Sequence, residues 1–150
     1  MSRAWIVVAD AARTRIFSTE STAAPLVPVE QLVCPQARLH ERDMASDRPG
    51  RSFDSVGAGR HGTEAPTSPK EQEAIRFAKT VADYLERGRV DNRYDNLTLV
   101  VEPHFLGLIR KAINPQMAKM VTREIDKDLS KFDRDEISKN LSRLSGNGPG

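Results

Sequence analysis

The chain has 150 residues, of which 38% are hydrophobic and 29% are charged, and its formal net charge at pH 7 is +2. This length and composition are typical of one globular domain, and the near balance of charge does not by itself indicate a nucleic-acid or membrane partner. A single cysteine excludes an internal disulfide framework and favours a reducing compartment.

The N-terminus lacks the apolar core of a signal peptide and no apolar run is long enough for a membrane span, so we expect a cytoplasmic protein.

Three strands are predicted in the first part of the chain. Trp5–Ala9 is typical of a buried central strand, and Thr14–Ser18 follows closely enough to form a hairpin with it. Leu26–Val33 predicts a third strand, which Pro28 places at an edge because proline lacks an amide donor.

Residues 34–68 form a long segment in which strand and helix patterns fail. Apolar residues are sparse there, whereas glycine and proline are frequent. A compact domain rarely carries such a stretch unless it is functional or disordered, so we predict a long Arg- and Gly-rich loop. A short helical turn over residues 37–43 fits the pattern.

Helices and two further strands are predicted in the rest of the chain. Ser68-Pro69-Lys70-Glu71 is a capping box with proline at the first helical position, and Gly88 is the stop signal of the helix that it opens. The apolar run Leu97–Val101 predicts a strand that is covered on both faces. The predicted helices are Pro69–Arg87, one from Pro103 to Ile113, a short one over Pro115–Lys119 and one opened by Asp133 and Glu136; the last strand is Met120–Ile125.

The element order predicts a mixed α/β sheet with helices on its faces, similar in order to a ribonuclease-H-like sheet. The three early strands pair antiparallel because turns join them, and the later strands join in parallel through crossovers. We expect a single domain over residues 1–144 that includes the loop 34–68, followed by a disordered tail at 145–150.

The arginines of the loop are the first candidate site. Residues 38–61 carry five arginines and two histidines but no lysine, and arginine binds phosphate through a planar fork and stacks on bases. In the alternative interpretation the arginines pair with the acidic residues that alternate with them, which neutralises the loop. The predicted RNA- or anion-binding residues are Arg38, His40, Arg42, Arg48, Arg51, Gly57, Gly59, Arg60 and His61.

The run Gly57-Ala-Gly-Arg-His-Gly62 is the second candidate site, because three glycines in six residues permit a close backbone approach to a ligand. It is not a dinucleotide fingerprint, since no strand precedes it, and it is not a P-loop, since no Gly-Lys-Ser/Thr follows. The alternative is a flexible loop tip. His61 is the candidate catalytic residue of this run.

Three carboxylates follow predicted strands: Asp10, Glu102 and Asp126. Strand ends meet at one edge of an open α/β sheet, where carboxylates could hold Mg²⁺ for phosphodiester hydrolysis. Acidic residues in these positions are more often helix caps and turn formers, so we expect no metal site and no cofactor. The histidines lack zinc-type spacing, and Cys34 is expected to be a small buried residue at a strand end.

Several blocks of the sequence are distinctive, among them Trp5–Phe17, Leu39–Asp43, Ser46–Phe53, Pro103–Leu108 and Glu124–Leu129. Through these blocks the chain resembles the bacterial host-attachment family, "protein required for attachment to host cells". That family is similar in turn to the middle domain of archaeo-eukaryotic peptide release factors. The resemblance implies the release-factor middle-domain fold and a place in translation.

In release factors the loop carries Gly-Gly-Gln and promotes peptidyl-tRNA hydrolysis, whereas the equivalent place here reads Gly57-Ala-Gly-Arg-His61 without glutamine. We therefore expect a non-catalytic, cytoplasmic domain that contacts the ribosome or structured RNA through residues 38–61. Three alternatives stay open: a hydrolase acting on peptidyl-tRNA or another ester through His61, a metal nuclease built on the three carboxylates, and a factor in attachment to host cells. The oligomeric state is left open.

Overall fold

Five strands and four helices make up the part of the chain that the structure, a computed structural model, describes: residues 3–21, 24–35 and 68–147. The strands are β1 (Ala4–Ala9), β2 (Arg13–Thr19), β3 (Val27–Val33), β4 (Asn96–Val101) and β5 (Val121–Ile125). The helices are α1 (Pro69–Val90), α2 (Pro103–Ala112), α3 (Pro115–Met120) and α4 (Arg134–Asn147). The predicted order of elements is confirmed over these residues.

The strands form one mixed sheet in the order β3-β2-β1-β4-β5. The three early strands pair antiparallel, whereas β4 pairs in parallel with both β1 and β5. This pairing confirms the predicted mixed α/β sheet, because turns join the antiparallel neighbours and helices join the parallel ones.

Strand β1 lies at the centre of the sheet and is buried on both faces. Trp5, Val7 and Ala9 belong to the core beneath α1, α2 and α3, while Ile6 and Val8 belong to the core beneath α4. All five side chains are at most 7% exposed. Because successive side chains of a strand point to opposite faces, this run needs a helical layer on each side of the sheet.

Strand β3 lies at one edge of the sheet, as Pro28 predicts. It pairs with β2 alone, and its side chains are largely exposed, including Val27 at 54%. The pairing register shifts between Ile16 and Phe17, and Phe17 lies opposite Pro28. Proline and the charge of Glu30 make this edge a poor template for pairing with another strand.

Helix α1 ends later than predicted, because Gly88 lies inside its last turn and does not stop it. The residue that ends the helix is Asn92, whose φ of 56° is in the left-handed region. The Arg93 N–H donates to the Gly88 carbonyl at 2.8 Å, and the Asn92 N–H donates to the Arg89 carbonyl at 3.0 Å. These two bonds form a Schellman motif, in which asparagine takes the place usually held by glycine.

Gly88 is needed instead for the packing of Trp5. A Cβ atom at position 88 would lie 2.8 Å from two ring atoms of Trp5 and 3.1 Å from the Tyr94 ring. The Trp5 ring also stacks on Tyr84 and lies 4.8 Å, centroid to centroid, from Tyr94. The missing side chain at 88 therefore lets α1 approach the central strand closely.

Side-chain caps also begin helices α3 and α4. Helix α4 begins at Asp133 and Glu136 as predicted: the Glu136 N–H donates to Asp133 Oδ1 at 2.8 Å, and the Asp133 N–H donates back to Glu136 Oε1 at 3.3 Å, which is a capping box. Asn114 Oδ1 accepts from the Met117 N–H at 2.8 Å and so caps α3. The predicted tail begins at Ser145, but α4 continues to Asn147. No described helix is both long and apolar enough to cross a membrane.

The Gly88 contact predicts opposite effects for two glycine substitutions in helices. Gly88→Ala forces Trp5 or Tyr94 to move, and we expect it to lower the free energy of unfolding by about 1–2 kcal/mol despite the better helix propensity of alanine. Gly107→Ala is the matched control, because a Cβ there meets nothing within 4 Å, and it should raise that free energy by about 0.5–1 kcal/mol. Urea unfolding followed by circular dichroism measures both; equal effects would contradict the packing role of Gly88.

Tyr94 predicts a loss of stability at alkaline pH. Its hydroxyl donates to the Leu85 carbonyl at 2.7 Å in a buried position, and burial raises its pKa from 10.0 to about 12. Folding therefore favours the protonated phenol. The contribution of Tyr94 to the free energy of unfolding is complete below pH 10 and disappears as the pH rises toward about 12. Tyr94→Phe should remove that pH-dependent step from urea unfolding curves, whereas Tyr84→Phe should retain it; retention of the step in Tyr94→Phe would contradict the assignment.

Candidate binding site at the carboxyl edge of the sheet

The three parallel strands end at the same edge of the sheet, and a polar residue follows each of them. Asp10 follows β1, Glu102 follows β4 and Asp126 follows β5. The last residues of β1 and β4, Ala9 and Val101, are register partners, and the Glu102 N–H donates to the Ala9 carbonyl at 3.0 Å. We call this side of the molecule the carboxyl edge; ligands of open α/β sheets typically bind at such an edge.

The Asp10 carboxylate holds the turn between β1 and β2. Its Oδ1 accepts from the N–H groups of Ala12 and Arg13 at 2.8 and 2.9 Å. Its Oδ2 lies 2.9 Å from the hydroxyl of Ser130, which is only 2% exposed and is also 2.6 Å from Asp128 Oδ1. Asp10 therefore ties the β1–β2 turn to the connection between β5 and α4.

The Glu102 carboxylate caps α2. Its two oxygens accept from the N–H groups of His104 and Phe105 at 3.0 and 2.9 Å. Asp126 is exposed, and among the described residues no group of three or more His, Cys, Asp or Glu side chains is arranged to hold a metal ion. Asp10 and Glu102 are thus a turn former and a helix cap, which is the interpretation that the sequence favours.

An imidazole–carboxylate pair joins the first turns of α1 and α2 near the carboxyl edge. Nε2 of His104 lies 2.8 and 3.0 Å from the two carboxylate oxygens of Glu71. The Glu71 N–H donates to Ser68 Oγ at 3.1 Å, as the predicted capping box requires, but its carboxylate faces His104. A carboxylate on one ring nitrogen orients the imidazole and leaves the other nitrogen for a proton or a ligand.

The sequence pattern missed this pair. The two residues are 33 positions apart, and His104 belongs to no zinc-type spacing that would predict a ligand role for it. The only available signal was that each residue lies in the first turn of a helix that begins with proline, and nothing in the sequence shows that the two helix starts are neighbours.

Arg15 is a second residue that the sequence did not single out. Its guanidinium donates to the Phe132 carbonyl at 2.5 Å and to the Ser130 carbonyl at 3.3 Å, and it lies 5.3 Å from the Phe17 ring centroid. Burial is the main cause that lowers its pKa, with Arg13 acting in the same direction and Asp133 opposing it. Arg15 holds the β5–α4 connection against β2.

The carboxyl edge is also where the segment 36–67 leaves and rejoins the described fold. On one side, the Cys34 N–H donates to the Ala12 carbonyl at 2.9 Å, just beyond the end of β1. On the other side, Ser68 caps α1 beside the Glu71–His104 pair. Cys34 itself is buried at 4% exposure in the core, which confirms the prediction for that residue.

The predicted ligand-binding residues of the loop lie outside the described residues, as do the acidic neighbours with which the arginines were alternatively expected to pair. Their arrangement therefore stays a prediction. The residues concerned are Arg38, His40, Arg42, Arg48, Arg51, Gly57, Gly59, Arg60 and His61.

In a comparison with known protein families, nearly the whole chain matches a family model. A family model with the description "Protein required for attachment to host cells" matches residues 5–141. These residues include β1 from Trp5 onward, the other four described strands and the start of each described helix. A search of curated proteins gives no match.

The structural role of Asp10 predicts a clear stability effect. Asp10→Ala removes the acceptor for two backbone amides and the contact of Oδ2 with the Ser130 hydroxyl, and we expect it to lower the free energy of unfolding by about 2–3 kcal/mol. Asp10→Asn keeps an acceptor for the amides and should lower the free energy of unfolding by about half as much. Asp83→Ala, an exposed carboxylate on α1, is the control and should change stability by less than about 0.5 kcal/mol. Equal urea midpoints for Asp10→Ala and Asp83→Ala would contradict this role.

Proposed function

The chain belongs to the family of proteins required for attachment to host cells, and from this membership we propose that it acts as a cytoplasmic binding domain that contacts the ribosome or structured RNA. The family description names an outcome for the cell and not a chemical step. The molecular event that we propose is the binding of phosphate groups by the arginines of residues 38–61, without catalysis.

The observation that carries this proposal is the position of the loop's two flanks. Cys34 and Ser68 both lie at the carboxyl edge, so the intervening segment is attached where open α/β sheets typically bind ligands. That segment carries five arginines and no lysine between residues 38 and 61. Guanidinium groups bind phosphate through two parallel hydrogen bonds and also stack on exposed bases.

The architecture gives a second line of support. We propose that the fold is ribonuclease-H-like and close to the middle domain of release factors. The strand order β3-β2-β1-β4-β5, with three antiparallel strands followed by two parallel ones and helices on both faces, agrees with this proposal. In that domain the corresponding loop enters the ribosome.

Within the loop we assign roles by chemistry. Arg48, Arg51 and Arg60 bind phosphate groups, Gly57 and Gly59 permit close approach of the backbone, and His61 stacks or donates a hydrogen bond. Arg38, His40 and Arg42 extend the same surface. On the described part of the carboxyl edge, the exposed Lys127 and Lys131 follow β5 together with the exposed Asp126 and Asp128, so the positive charge for phosphate has to come from the loop.

The experiment that tests this function is co-sedimentation with ribosomes over a range of salt concentrations. We expect wild type to bind at low salt. Replacing Arg48, Arg51 and Arg60 with alanine should weaken binding and make the slope of log K against log salt shallower by about 2–3, since each lost phosphate contact removes about 0.7–0.9. The control with the same change in charge replaces the exposed Arg76, Arg87 and Arg143 of α1 and α4 and should leave binding near wild type.

The same mixtures distinguish the alternatives. Absence of co-sedimentation at low salt, or equal loss in the two triple variants, would overturn the proposal. Release of peptide from added peptidyl-tRNA, lost in His61→Ala, would instead establish the hydrolase. The Glu71–His104 pair favours including His104→Ala in that assay, because an imidazole oriented by a carboxylate can act as a general base. Recovery of the protein on the outer surface of intact cells would replace the cytoplasmic proposal with direct attachment.

A further inference from the structure

A cavity of about 250 Å³ lies between the sheet and α4, at the end of the sheet opposite to the carboxyl edge. Its lining comes from the first residues of β1, β4 and β5, the end of β2 with the turn that follows, and the middle of α4. The volume is slightly below the roughly 300–1,000 Å³ of pockets that bind drug-sized molecules. A monosaccharide is of a suitable size.

The cavity opens because the core beneath α4 is covered less completely toward this end of the sheet. Near the carboxyl edge Val8, Val100 and Ile137 are completely buried. Toward the other end the corresponding core residues are Ile6 and Leu141, which are 7% and 9% exposed and line the cavity. The helix therefore covers one half of this face closely and leaves space over the other.

Thr98 places an unused hydroxyl at the floor of the cavity. It lies in register between Ile6 of β1 and Arg123 of β5, and it shares the α4 face of β4 with Val100. The residue is only 8% exposed, and its hydroxyl makes no hydrogen bond to a described residue. Because this hydroxyl faces the cavity and no described residue pairs with it, it is free to bind water or a ligand. A cavity over this hydroxyl is therefore a place where a polar ligand gains a hydrogen bond.

The rest of the lining indicates a neutral ligand. Most of its polar side chains carry hydroxyl or amide groups, including those of Asn96, Thr19 and Ser138, and these can both donate and accept. The two charged side chains, Glu20 and Arg123, have opposite signs, so the cavity has no excess charge to attract an ion. Ala4, Ile6 and Leu141 provide an apolar surface for the C–H groups of the ligand.

From this lining we propose that the cavity binds a small neutral polyol of about monosaccharide size, with one of its hydroxyl groups paired to Thr98. The site is separate from the carboxyl edge and does not depend on the function proposed above. The inference combines three observations: a concave volume of suitable size, a hydroxyl in its lining that pairs with no described residue, and a lining that is rich in neutral hydrogen-bonding groups.

Titration of the whole chain with D-glucose, D-galactose, D-mannose and myo-inositol, followed by amide NMR shifts, tests the proposal. At least one probe should produce saturable shifts that cluster at the amides around Thr98, Asn96 and Ser138, with affinity in the millimolar range expected for so small a ligand. Thr98→Val keeps the shape of the side chain and removes the hydroxyl, and it should weaken binding about tenfold. Thr80→Val, an exposed position on α1, is the matched control and should bind like wild type.

Further measurements make the test decisive. Ser138→Leu, on the solvent-accessible helix that covers the cavity, fills the space and should abolish binding while circular dichroism shows an unchanged fold. Absence of saturable shifts with all four probes would overturn the proposal. Binding that persists unchanged in both Thr98→Val and Ser138→Leu would place the ligand elsewhere and overturn it too. Tighter binding of sodium lactate than of any sugar would overturn the assignment of a neutral ligand.

Discussion

The burial of β1 on both faces is the constraint on which the rest of the structure depends. A run from Trp5 to Ala9 with no exposed side chain is stable only if helices cover both sides of the sheet, and α1 and α4 lie on opposite faces in contact with it. The parallel pairing of β1 with β4 then brings the residues after the two strands together. The carboxyl edge and everything attached to it follow from that pairing.

At this edge, the charged groups of the described residues serve the fold first. Asp10 holds a turn and reaches Ser130, Glu102 caps α2, and Arg15 binds two carbonyl groups of the β5–α4 connection. Since buried or half-buried polar groups must be paired, these contacts make the edge rigid and leave few of its side chains free to bind a ligand. A binding function is therefore better sought in the segment attached to the frame, together with the pair formed by Glu71 and His104.

Local patterns were sufficient for most of the fold, because the central strands are continuous apolar runs and each helix has a cap in its own sequence. The Asp133–Glu136 box and the edge position of β3 are of this kind. Contacts between distant positions were not predictable. Gly88 resembles a helix stop, but its role is set by Trp5, 83 positions earlier; His104 resembles a lone histidine, but Glu71 faces it from another helix. Whether the Thr98 hydroxyl has a partner depends on how far α4 extends over the sheet, and no local sequence pattern gives that information.

The central place of β1 also has a consequence for how the protein is made. Ala4 pairs with Asn96, so the ribosome must add 92 residues after the first strand before its parallel neighbour exists, about 5–20 s at ordinary elongation rates. During that interval the nascent β1–β2 hairpin exposes apolar side chains on both faces. We therefore expect the growing chain to need shielding by a chaperone or by the ribosome surface, and aggregation during synthesis to be its main hazard.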